Sequence, residues 1–454
     1  MFEFIITLIL MVVGLIVSRK FLGTIRSPIG LFSIVWNGLY ALSNLSMVTY
    51  KSTSLATSMV IHATYLSVLV GALTACMFLK NKKYSKKTYN IQFNHLHNTY
   101  TYKFLIKSIN FSVIVSLLGT TLWLLKSIQI VGLSRLLTLD PYQVRYLIEG
   151  NVPTIISYMM VFSLGTSLLI SLIISKGQKV KIIHFLGLIP PVTVSFFTGQ
   201  RSLSLWMFLI FLLPIILIHK KKSSPKKNLK RKFLIIVMLC SLVALFIGVG
   251  ERRGSFEDTT VYQSVFSNSQ LTKTYIYLTG SFVALSEKMN TWDGQMNGGV
   301  STFTPLFKVM NALRITNYDQ KLLDEIVTGR DFVNIPFSFN VYTIVWDLIS
   351  DFGIVGLIIF LWSVGLISTV LWDFSRKKRS VHVLDVIMIL VTFYLVYGFI
   401  SSITSFIPIW IGFSYSIFTI GLSKEIVLRK INYNNSEVTN ESFSFNKITR
   451  NRSE

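Results

Sequence analysis

Residues 352–372 read FGIVGLIIFLWSVGLISTVLW, twenty-one positions without one charged side chain, followed by Asp373 and then by Arg376-Lys377-Lys378-Arg379. A helix rises about 1.5 Å per residue, so this stretch matches the roughly 30 Å hydrocarbon thickness of a bilayer. Working outward, apolar runs of similar length occur at 2–18, 29–48, 59–79, 104–125, 152–175, 182–199, 202–219, 233–250, 383–404 and 406–423. The chain is therefore expected to be an all-α polytopic membrane protein with about 11 transmembrane helices. The first run has no basic residues ahead of it, and Arg19-Lys20 stand where a signal peptide would carry its cleavage site. It is read as a span.

Composition agrees. Of 454 residues, 52% are hydrophobic and 14% charged, and the mean hydropathy is +0.58. Soluble domains carry about 25% charged residues, so a soluble enzyme, a coiled coil and a disordered binder are excluded. The net charge of +24 would point to nucleic acid in a soluble chain. In a membrane protein it follows from Lys and Arg concentrating in short cytoplasmic loops, and no nucleic-acid partner is expected. Cys76 and Cys240 lie in apolar runs and read as packing residues, with no disulfide framework or cysteine metal site.

Counting Lys and Arg in alternate connections gives 30 on one side and 13 on the other. The basic side is the cytoplasmic one, which places the N-terminus outside and the C-terminus inside. One connection differs from the rest. Residues 251–340 carry 8 basic and 9 acidic residues and fall on the outer side. Connections longer than about 15 residues are usually functional or disordered, and this one is apolar enough at 275–285 and 303–313 to fold. Trp292-Asp293-Gly294 and Asn297-Gly298-Gly299 are turn signals within it. Residues 338–350 read as an amphipathic helix lying in the interface. The resulting organisation is 1–250 for spans one to eight, 251–351 for a large extracytoplasmic loop with its interfacial helix, 352–423 for spans nine to eleven, and 424–454 for a disordered cytoplasmic tail.

Missing motifs narrow the chemistry. The chain has no G-x-x-x-x-G-K-[ST], no H-E-x-x-H and no D-x-D. An ATP-driven pump, a zinc protease and the usual metal-bound nucleotide-sugar site are all disfavoured. Of the six histidines, His62 alone lies near the expected outer face, so acid–base work there falls to His62, Tyr, Lys or a carboxylate.

Three charged sites stand at that face, where ionisable groups are costly and often functional. Thr198-Gly199-Gln200-Arg201-Ser202 joins two spans with almost no loop, which holds Arg201 at the hydrocarbon edge. Its planar guanidinium suits a phosphate; the plainer alternative is a snorkelling cap on the hairpin. Gly250-Glu251-Arg252-Arg253-Gly254 sets an Arg pair against the prevailing charge bias, or merely ends a helix with Glu251 pairing an Arg. Asp347 and Asp351 fall on one helical face, as functional carboxylates or as interface anchors. Arg314 and Arg330 are weaker candidates within the long loop.

These residues resemble the Wzy-type repeat-unit polymerases, also called O-antigen polymerases, of bacterial surface polysaccharide synthesis. The likeness covers roughly residues 180–425. It rests on the number of spans, T-G-Q-R-S at 198–202, G-E-R-R at 250–253, and N-V-Y-T through D-F-G-I-V-G from Asn340 to Gly356. The resemblance implies a GT-C-like architecture in the bacterial cytoplasmic membrane. Its substrate would be a polyprenyl-diphosphate-linked oligosaccharide among membrane lipids, with a flippase and a chain-length regulator as partners and with neither nucleotide nor obligatory metal. It further implies Arg201, Arg252 or Arg253, and Asp351 as catalytic residues, with Gln200, Arg314, Arg330, Asn340 and Tyr342 contacting substrate. An O-antigen ligase-like transferase is the rival of the same class, although residues 251–340 lack the histidine expected of one. A lipid-linked sugar flippase or other transporter is the rival of a different class; it would favour internal repeats and short loops.

Overall fold

The computed structural model describes residues 2–45, 47–49, 51–81, 91–218, 269–318, 332–335, 338–378 and 380–426, with scattered positions elsewhere. Arg252, Arg253, Arg330, most of the expected eighth span and the tail beyond 428 lie outside the described residues. Helix dominates what is described. In chain order the helices are α1 (Phe2–Leu22), α2 (Pro28–Ser43, with one π turn at Ser33–Asn37), α3 (Leu55–Asn81) and α4 (Ile91–Val131). Next come α5 (Leu133–Thr138), α6 (Pro141–Ile148), α7 (Thr154–Ser175), α8 (Ile189–Thr198) and α9 (Arg201–Leu217). From the long connection onward there are α10 (Ser269–Asn290), α11 (Thr304–Ala312), α12 (Ile344–Lys377), α13 (Val383–Tyr397) and α14 (407–426). A short antiparallel pair, Val333–Asn334 with Ser338–Phe339, precedes α12.

Five of these helices, α1, α3, α4 from Thr101, α7 and α12, are long and apolar enough to cross a membrane. Four apolar segments are shorter: Pro28–Ser43, Ile182–Thr198, Arg201–Leu217 and Val383–Tyr397. The chain's one adjacent proline pair, Pro190-Pro191, explains one of them. Proline lacks an N–H and cannot continue an α-helical ladder, so Ile182–Leu188 winds as a 3-10 helix before α8 begins at Ile189. The fourth expected span, 104–125, is the middle of a longer helix, Ile91–Val131, that begins within the connection expected at 80–103.

α7 is the hub, packed against α4 on one side and α9 on the other. α3 crosses α12 at backbone contact distance. A Cβ on Gly71 would stand 1.9 Å from the Trp362 carbonyl oxygen, and one on Gly365 would stand 2.2 Å from that of Val68. Small residues at such crossings are how apolar helices associate where water supplies no hydrophobic drive.

The ends of the helices sort into two groups. At one end Arg376 donates to Leu22 O (3.0 Å), and Lys176 Nζ reaches Ser375 O (3.0 Å) and Asp385 Oδ1 (3.2 Å), drawing together α1, α7, α12 and α13. At the other end Lys51 pairs with Glu287 (2.9 Å), and Ser402 N donates to Asp347 Oδ2 (2.8 Å).

The long connection is built mostly of helix. α10 is buried through much of its length, and Ser281 Oγ donates to Phe399 O (2.5 Å). Gly294, Gly298 and Gly299 all take positive φ, in keeping with the turns read there. The expected amphipathic helix over 338–350 is corrected. Thr343 caps a helix that starts at Ile344, and residues 344–351 are buried on every face except at Trp346. It packs inside the protein rather than lying on an interface.

Candidate functional site

The site forms around the α8–α9 hairpin. Gly199 takes the left-handed conformation (φ 67°) that closes α8, and its N–H returns to Ser195 O at 3.0 Å. Gln200 is extended, and Arg201 opens α9. Ser195 Oγ donates to Gln200 O (2.6 Å) and lies 2.5 Å from Ser204 Oγ, which donates to Pro191 O (2.9 Å). Two serines, one turn inside each helix, thus staple the hairpin and fix the direction of Arg201. Gln200 makes no side-chain cap, so the first-turn N–H groups of α9 add their partial positive charge to that of the guanidinium.

Arg201 faces a cavity of about 690 Å³, whose lining includes Gln200, Ser202, Leu203 and Trp206 from the same hairpin. Trp123 of α4 and Phe406 supply aromatic wall, and Arg145 and Glu149 at the end of α6 stand on the rim. Those two pair with each other at 3.2 Å and remain partly exposed. Tyr277 of α10 closes another side.

Four residues before Tyr277, on the same helical face, is Lys273. It is 7% exposed, comparable to Arg201 at 8%. Burial holds the Lys273 ammonium below its ordinary pKa of 10.5, Arg201 depresses it further, and Asp140 at the head of α6 opposes the shift. Arg201 lines the cavity at the N-terminus of α9, and a helix N-terminus beside a guanidinium favours an anionic ligand.

The other anticipated residues go elsewhere. Both carboxylate oxygens of Asp351 accept backbone N–H groups, Oδ1 from Ser301 (3.0 Å) and Oδ2 from Thr302 (2.6 Å). The carbonyls of Ser350 and Asp351 accept from Asn297 and Gly298. Asp351 therefore clamps the 297–302 turn and is not among the residues that line the cavity. Asp347 is occupied by Ser402, as above. The strand-like segment 340–343 alternates its side chains, so Val341 lines the cavity while Tyr342 is buried with Val283, Ala284 and Ile335. Asn340 is likewise absent from the lining.

Arg314 is exposed and has φ 58°. Its N–H bonds to Asn311 O (2.9 Å) and that of Ile315 to Met310 O (2.9 Å), the Schellman pattern that ends α11. Its place in the fold is a helix terminus, away from Arg201's cavity. His62 Nε2 lies 3.0 Å from Glu3 Oε2, also away from it.

Of the anticipated residues that are described, Arg201 and Gln200 meet at the cavity. Arg145, Glu149 and the two tryptophans join them unanticipated, and Lys273, whose charge is felt by Arg201, is buried outside the lining. A lysine inside TKTYIYL, four residues from a tyrosine, was the available signal for one of these. The described residues define a mostly helical protein with five helices long and apolar enough to cross a membrane and, at one end, a cavity lined by buried Arg201. No known protein family, curated protein or solved structure matches the chain.

Proposed function

We propose that this chain is a polymerase of lipid-linked oligosaccharide repeat units, acting at the outer leaflet of a bacterial cytoplasmic membrane through eleven spans with the N-terminus outside. The observation that carries the reading is buried Arg201, lining an aromatic-walled cavity at a helix N-terminus that has no side-chain cap. In the reaction an acceptor sugar hydroxyl attacks the anomeric carbon of the donor glycan. The bond from that carbon to the polyprenyl diphosphate oxygen breaks, and the diphosphate departs with the electron pair.

Arg201 and the α9 N–H groups stabilise that departing charge, with Lys273 adding positive potential from behind the cavity wall, the kind of preorganised electrostatics that contributes most in a water-poor site. Glu149 takes the place first given to Asp351 as the carboxylate available to receive the hydroxyl proton. Trp123, Trp206 and Phe406 offer apolar faces to sugar rings. Neither nucleotide nor metal enters the scheme. A flippase would supply the substrate, and a chain-length regulator would act on the product.

Deleting the gene tests this directly. A polymerase deletion leaves surface glycan one repeat long; a flippase deletion traps that unit inside; a ligase deletion leaves long polymer on its lipid carrier. The purified chain is expected to extend a lipid-linked repeat without ATP or nucleotide sugar, releasing one lipid diphosphate per bond. Normal polymer from the deletion strain, where no second polymerase is present, refutes the proposal.

A further inference from the structure

A second cavity, apolar along its wall and edged by exposed lysines, lies at the opposite end of the bundle from Arg201. It measures about 350 Å³ and is lined by Tyr102, Lys103, Ile106 and Lys107 of α4 facing Lys181 and His184. Lys103 and Lys107 are four residues apart and share one face of α4. Lys181 approaches from the facing wall, the segment that leads from α7 into the 3-10 turn before α8. That wall is fixed in place. The Tyr102 hydroxyl donates to Lys179 O across the gap, and His184, 2% exposed, has Nδ1 3.1 Å from Lys181 O. A small crevice sharing Tyr102 contains Lys176, which ties this cavity to the end where α7, α12 and α13 meet.

Directly after Lys181 the surface becomes apolar and open. Ile182 is 88% exposed, Ile183 57% and Leu186 41%. In a membrane those side chains meet acyl chains, so three ammonium groups stand at the boundary immediately above hydrocarbon-facing surface. Lysine is suited to that position, because its stem lies along apolar surface while the charge reaches the headgroup level.

We infer that this cavity is a binding site for an anionic glycerophospholipid, with its phosphate and headgroup held by Lys103, Lys107 and Lys181 and an acyl chain lying along Ile182, Ile183 and Leu186. A soluble anion would use the lysines but has no use for the isoleucines. A zwitterionic lipid would use the isoleucines but neutralise none of the charge. Basic pockets between membrane helices recognise anionic headgroups through this combination of charge and apolar wall. The site stands apart from Arg201's cavity and does not depend on what reaction occurs there.

The test is native mass spectrometry of the full chain, titrated with phosphatidylglycerol against phosphatidylcholine of the same acyl composition. The wild type is expected to retain one phosphatidylglycerol preferentially. A juxtamembrane lysine contributes about fivefold to such binding, so K103Q/K107Q/K181Q should weaken the preference by on the order of 100-fold. R19Q/K20Q/K80Q removes as many exposed positive charges from the same end of the bundle and should leave it intact. Ile182→Ser, which keeps every charge, should shorten lipid retention. Equal binding of the two lipids, equal loss in both triple variants, no effect of Ile182→Ser, or displacement of the lipid by millimolar inorganic phosphate would each overturn the inference.

Discussion

Arg201 and Lys273 carry the same formal charge but do different work. Arg201 offers a rigid fork of N–H donors and stays protonated at any pH a cell meets, whereas Lys273 is a point charge held below its ordinary pKa. Replacing Arg201 with Lys keeps the charge and loses the fork. Repeat-unit extension by Arg201→Lys is expected to fall about 10–100-fold, from one charge-assisted bond of roughly 1.5–3 kcal/mol. Extension rate at matched protein level checks this, and full activity would reduce Arg201 to a hairpin cap. Lys273 gives a pH prediction. Its cation is present below its depressed pKa and disappears as pH rises through it, so lipid-diphosphate binding should weaken on the alkaline side earlier than an ordinary lysine would allow. Lys273→Arg should remove that alkaline decline, because guanidinium does not deprotonate in this range. An unchanged alkaline limb in the Arg variant would show that some other group sets it. Arg201 was legible in the sequence because Thr198–Ser202 leaves no room for a loop. The clamp made by Asp351 was not legible, because the amides that occupy its carboxylate, those of Ser301 and Thr302, lie about fifty positions away in the chain.

At the scale of elements, α12 is two helices meeting at Gly353, which has φ 69° and ψ −179°. That backbone region is essentially confined to glycine. The break lets the first half end in carbonyls that the 297–298 turn satisfies, while the apolar second half continues as a membrane-length helix. The stretch from which the fold was read thus begins at the break. Gly353→Ala should destabilise the protein by about 1–3 kcal/mol, and the 297–302 turn should become the first place to gain protease sensitivity. Alanine at Gly356, three residues later and inside the helix, makes the comparison: a Cβ there would meet the Phe352 side chain rather than forbidden backbone. If Gly353→Ala melts and resists protease as the wild type does, the break is not under conformational constraint. Hydropathy located the long apolar helices because it registers length and composition. It could not locate α5, α6 or α10, whose stretches mix polar and apolar residues and are held by tertiary packing. The 338–350 stretch was misplaced for a related reason: its partners are buried core, and periodicity alone does not say what covers a face.

For the whole molecule, the positions of the helix ends bear on the reading of sidedness. The connections at 19–28, 176–181 and 373–382, grouped together by their basic residues, gather at one end through Arg376–Leu22 and Lys176–Ser375–Asp385. Arg201's cavity, the Lys51–Glu287 pair and the Asp347–Ser402 contact lie at the other. The buried Lys176–Asp385 pair costs desolvation that its geometry must repay. Ser375 and the His382 N–H (2.8 Å) complete the shell around Asp385, so three helix ends are fixed to one carboxylate. Excess Lys and Arg mark the cytoplasmic face, so the proposed function requires the Lys176 end to be internal and the Arg201 cavity external. In a background with Cys76 and Cys240 replaced, single cysteines at exposed Gln178 and Asn290 report the two ends. A membrane-impermeant maleimide applied to intact cells should label the cysteine at 290 and leave the one at 178 unmodified until the membrane is opened. The reverse pattern would turn the molecule over and move the cationic cavity to the cytoplasm, where an outer-leaflet glycan donor cannot reach it. Labelling of both in intact cells would mean that the two ends do not lie on opposite sides of the membrane.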